Sequence, residues 1–128
     1  MAPHERPEGR LADFLANPAT AILWWGLPLA AGLSVEFLRL PSLAKTAVWS
    51  AALAWMGAGC ALNARRCHRL HCYFSAPILL LGAFAALLTG LGITPLGPRS
   101  AHPLINVTLV LAFLTFLAEP VWGKYRRN

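Results

Sequence analysis

Four apolar stretches, each close to twenty residues long and separated by short polar or Pro/Gly-rich joints, occupy most of this 128-residue chain. A bilayer core is crossed by about 20 consecutive, mostly apolar residues in a helix, so the pattern predicts four spans at residues 19–38, 43–62, 73–91 and 104–122. Asn17 followed by Pro18 supplies the cap and first-position proline expected where the first span begins. Pro28 lies inside that span, where neighbouring helices can re-satisfy the carbonyl it frees. The segment GITPLGPRSAHP, residues 92–103, reads as an ordered loop. The predicted fold is an all-α, integral-membrane four-helix bundle. Residues 1–17 form a tail, 18–123 the membrane domain and 124–128 a basic end. In the first tail, Leu11, Phe14 and Leu15 stand at helical spacing and suggest one interfacial turn. Glu5, Glu8 and Asp13 argue against a cleavable signal peptide, so the tail is expected to be retained.

Small residues recur along two of these spans. Ala47, Ala51, Ala54, Gly57, Ala58, Gly59 and Ala61 line the second, and Gly82, Ala86 and Gly90 repeat at four-residue spacing in the third. Such stripes let membrane helices approach closely. Packing within the bundle is the first reading, and a homodimer the second.

Composition sharpens the class. Hydrophobic residues make up 57% and charged residues 12% of the chain, against about 25% charged in soluble domains. That excludes a soluble enzyme with its own core, and disorder. With 10 Gly, 10 Pro and 3 Cys, collagen-like and disulfide-framework chains are excluded as well. The net charge of +6 points to membrane topology and not to nucleic acid, because Lys and Arg concentrate on the cytoplasmic side. Arg6, Arg10, Arg65, Arg66, Arg69, Lys124, Arg126 and Arg127 fall on one predicted face, eight in all; Arg39, Lys45 and Arg99 fall on the other, three. Both termini and the middle loop are thus expected in the cytoplasm, with the bilayer of a bacterial inner membrane as the surroundings. Arg65, Arg66 and Arg69 would set topology and attract anionic headgroups, at about 1 kcal/mol each.

Candidate chemistry is concentrated between Cys60 and Cys72. All three cysteines (Cys60, Cys67, Cys72) and two histidines (His68, His71) fall within these 13 residues. Cytoplasmic thiols stay reduced, so a structural disulfide is not expected. If the second span continues as a helix, Cys60 and Cys67 are two turns apart and His71 falls near the same stripe. Cys67, His71 and Cys72 are then the principal ligands for a thiophilic ion (Hg, Cu or Zn), with Cys60 and His68 in support. The three arginines would favour thiolates yet repel a cation. C-H-x-x-H-C matches no zinc-finger spacing. The competing reading makes the cysteines small packing residues, most plainly Cys60, and the histidines interfacial anchors.

The segment Asn63-Ala-Arg-Arg-Cys67-x-Arg69-x-His71-Cys72-Tyr73 resembles the NARRC-x-R-x-HC signature of a group of small bacterial inner-membrane proteins. The resemblance covers roughly residues 55–90 and implies handling of mercury or another heavy metal. The chain differs from the familiar mercuric-ion transport proteins in lacking paired cysteines within its first helix.

Glu36 and Glu119 are the carboxylates beyond the N-terminal tail. Intramembrane ionisable groups are functional candidates, although a local pair of Glu36 with Arg39 is the plainer expectation. Functionally, Glu119 would stand beside the Cys/His cluster, and Glu36 with His102 would form the mouth of a pathway. The leading expectation is a non-enzymatic protein that binds, and passes across the bilayer, a soft or borderline metal ion. An accessory subunit of a larger membrane complex is the alternative. A thiol oxidoreductase ranks third, because no C-x-x-C is present.

Overall fold

A computed structural model describes residues 16–122, apart from the side chains of Cys67, Ala118, Glu119 and Trp122. The expected interfacial turn and the basic C-terminal tail fall outside that range. The described residues form an all-helical bundle. Helix α1 spans Pro18–Phe37, α2 Ser42–Cys67, α3 Leu70–Gly90 and α4 Ala101–Leu114. A 3-10 turn, Pro98–Ser100, leads into α4, and a second, Thr115–Ala118, follows it before a last short turn, Glu119–Trp122.

Local chemistry explains the boundaries. The Asn17 side chain accepts the Ala19 N–H at 3.0 Å and Pro18 takes the first turn, as the sequence predicts. Within α1, residues Ile22–Gly26 are π-helical, and the Leu27 N–H bonds the Ile22 carbonyl. Pro28 has no N–H to offer the carbonyl four residues back, so the ladder slips by one residue just before it. Helix α2, with 26 residues, is about 39 Å long, more than the hydrocarbon core requires. Its surplus carries the exposed Arg65 and Arg66 in the last turn, where cations suit the helix dipole. The helix stops at His68, which adopts the left-handed conformation (φ 56°) while its N–H bonds the Ala64 carbonyl. Arg69 is extended and α3 begins at Leu70. A continuous helix through His71 was the premise for ranking the ligands, and this two-residue turn replaces it.

Helices α2 and α3 are the centre of the bundle: 56% and 44% of their apolar stretches are buried, against 17% and 22% for α1 and the α4 segment. Helix α1 packs on α2, and α4 on α3. Leu53, Met56, Leu79, Ala86 and Ile105 fill the middle. The small-residue stripe of α3 works inside the chain, whereas Ala47, Ala51 and Ala58 of the α2 stripe are exposed. A Cβ at Gly82 would collide with the Thr108 side chain, and one at Gly90 would lie 2.7 Å from Thr46 Cγ2. Those faces are therefore occupied by α4 and α2 and are not open to a second copy. Outward, Phe37, Leu81, Phe84, Val110 and Phe113 are exposed, an apolar surface that a bilayer, not water, would cover. The four helices are long and apolar enough to cross a membrane, and the chain is a multi-pass membrane protein.

Candidate metal centre

The tight turn at His68–Arg69 folds α3 back along α2 and brings Cys60 of α2 to His71 and Cys72 of α3. One ligand atom from each of these three residues lies within 4.8 Å of the others, and all three residues are buried. His71 Nε2 is 3.4 Å from Cys72 Sγ. Both cysteines are free thiols.

Each sulfur has an N–H partner from a different helix. The Trp25 indole N–H donates to Cys60 Sγ at 3.4 Å, and the Asn63 amide donates to Cys72 Sγ, also at 3.4 Å. Trp25 lies within the π-helical turn Ile22–Gly26. Phe116, beyond α4, stacks on the His71 ring with centroids 3.9 Å apart. All four membrane segments thus converge on one constellation. Donors of this kind around ligand sulfurs orient them and tune the ion they hold.

The dimensions suit a single ion. Zinc–sulfur and zinc–nitrogen bonds of about 2.3 and 2.0–2.1 Å place adjacent tetrahedral ligands about 3.5 Å apart, close to the 3.4 Å between His71 Nε2 and Cys72 Sγ. The 4.8 Å limit is about twice a metal–sulfur bond, so one ion can reach all three atoms with small side-chain movement. Two thiolates and a neutral imidazole carry two negative charges, which a divalent soft ion neutralises, as a buried site demands.

Three of the five expected ligands come together among the described residues. His71 and Cys72 meet, and Cys60, expected only in support, is the third member. His68 stands apart: it is exposed, and its Nδ1 lies 2.7 Å from the Tyr73 hydroxyl. The side chain of Cys67 lies outside the described residues, as does that of Glu119. Of the three arginines, Arg65 and Arg66 are exposed whereas Arg69 is buried. Trp25, Asn63 and Phe116 were not anticipated as members of the site. An amide inside an apolar span was the one visible signal, at Asn63; the other two depend on helix packing.

At the opposite end of the bundle, Glu36 and His102 do come together, with Oε1 and Nε2 3.0 Å apart. The Glu36 carboxylate also accepts the Trp49 indole N–H at 2.8 Å and pairs with Lys45 at 3.7 Å. The expected pair with Arg39 does not form, because Lys45, one turn into α2, faces α1 where Arg39 follows its end.

In comparisons with known proteins, no family model, no curated protein and no solved structure matches the chain. Function therefore has to be argued from the constellation itself.

Proposed function

We propose that this is a multi-pass protein of the bacterial inner membrane that binds a soft or borderline metal ion through Cys60, His71 and Cys72 near the cytoplasmic end of the bundle, and hands it across the bilayer. The observation that carries the reading is the convergence of two thiols and an imidazole, all buried, within 4.8 Å. Two further facts support it. Both sulfurs already accept N–H donors, and thiolate with imidazole is the donor set that selects such ions over magnesium or calcium. The test is metal stoichiometry on reduced, purified protein with Hg²⁺, Cu⁺ and Zn²⁺. One ion per chain is expected, lost in the Cys60→Ser, Cys72→Ser double variant. Zero stoichiometry for all three ions would leave the cysteines as packing residues and favour an accessory subunit of a larger membrane complex.

A second reading, thiol redox chemistry, draws on the same proximity of two free thiols. Oxidation to a Cys60–Cys72 disulfide would remove two electrons and two protons, and with them two of the three ligands. Mass loss of about 2 Da during catalytic turnover with a quinone, without metal binding, would favour it.

A further inference from the structure

A second constellation lies at the other end of α2. Thr46 and Cys60 are 14 residues apart on one helix, which separates the two sites by about 20 Å. Here a cavity of about 280 Å³ is lined by Leu40, Ser42, Lys45 and Thr46 from the start of α2, and by Pro98, Arg99 and His102 from the start of the α4 segment. We propose that this cavity binds a phosphate-bearing anion, either free phosphate or the headgroup of an anionic phospholipid.

Charge is the first argument. Glu36, beside the cavity, is the one carboxylate with a described side chain in the protein, and it is already engaged by Trp49, Lys45 and His102. Arg99 lines the cavity, is exposed, and pairs with no acidic group among the described residues. A guanidinium fork left in this way matches a phosphate in shape as well as in sign. The pocket thus keeps a positive excess even with His102 neutral.

Unused donors are the second argument. Helix α2 starts after Pro41 with no side-chain cap and no acidic residue in its first turn. The N–H groups of the first turn point out of the helix along the positive end of its dipole, toward the end that Ser42 shares with the cavity. Thr46, one turn on, is only 3% exposed, lines the same cavity, and its hydroxyl makes no hydrogen bond with any described residue. An anion in the cavity would supply that hydroxyl with an acceptor. Guanidinium, ammonium, hydroxyl and helix N-terminus together form a set of donors suited to phosphate.

The experiment uses the full chain in maltoside micelles, which contain no phosphate. In one arm, inorganic phosphate is added and binding is followed by equilibrium dialysis. In the other, phosphatidylglycerol is added and retention is read by native mass spectrometry. Saturable binding of one ligand per chain is expected in at least one arm. Arg99→Gln should weaken it at least tenfold, Arg99→Lys less, and Thr46→Val several-fold. Binding in the first arm identifies free phosphate as sufficient, whereas retention of lipid alone identifies the headgroup. Because Arg99 is exposed, its replacement should leave thermal melting unchanged. Absence of binding in both arms, or equal binding by wild type and Arg99→Gln, overturns the proposal.

Discussion

Cys60 and Cys72 are both buried, and each sulfur accepts an indole or amide N–H, from Trp25 and from Asn63 respectively, with His71 Nε2 also 3.4 Å from Cys72 Sγ. Their single Ser variants should therefore lose metal affinity to a similar degree, whereas the spacing alone ranks Cys60 well below Cys72. Isothermal titration with Hg²⁺ on both variants measures this, and full retention of affinity in Cys60→Ser would exclude it as a ligand. Asn63→Leu leaves the ligands in place but removes a supporting donor, and a 10–100-fold loss of affinity is expected. The pH dependence follows from the exchange of protons for metal. Binding a divalent ion to two thiols releases up to two protons, so acidification drives the reaction backward and affinity falls by up to about 100-fold per pH unit. A flat profile would mean that the thiols are not ligands.

At the scale of the helices, the close approach of α3 to α4 rests on Gly82, and that of α3 to α2 on Gly90. Leucine at either position inserts a side chain where Thr108 or Thr46 now sits, and overpacking of this kind costs about 1–3 kcal/mol. Lower melting temperatures for Gly82→Leu and Gly90→Leu are expected; unchanged melting of both would show that the stripe faces lipid. The spans themselves were legible in the sequence because runs of twenty apolar residues have few other uses. Their ends were less so. Helix α3 starts at Leu70 and not at residue 73, and the last segment begins its turns at Pro98. The join at His68 was hidden for a specific reason: left-handed backbone is uncommon for a residue with a side chain, so nothing in Cys67-His68-Arg69 announces it. That one turn brings Cys60 and Cys72 to His71. Residue types alone revealed the chemistry of the site, but not its membership.

At the scale of the whole molecule, the two joints at 38–41 and 91–100 lie at the same end of the bundle, since Glu36 before the first reaches Lys45 after it and His102 after the second. The turn at His68–Arg69 lies at the other end, as alternation of four helices requires. By the predicted alternation of the spans, eight of the 11 Lys and Arg residues are expected on the side of this turn and three on the side of the cavity at Arg99. On the proposed orientation, the positive-inside bias would put the Cys60/His71/Cys72 cluster near the cytoplasm, where reduced thiols would remain available as ligands. Reporter fusions after Asn128 and within the loop at residues 92–103 should accordingly report opposite compartments, with the C-terminal fusion inside. If the compartments are reversed, Cys60 and Cys72 lie toward the oxidising side. Their proximity would then favour a disulfide over a metal site, and the protein isolated without reductant should lack two titratable thiols. With the expected orientation it should retain them, and blocking both with a thiol reagent should abolish metal binding while leaving phosphate binding by the cavity at Arg99 unchanged.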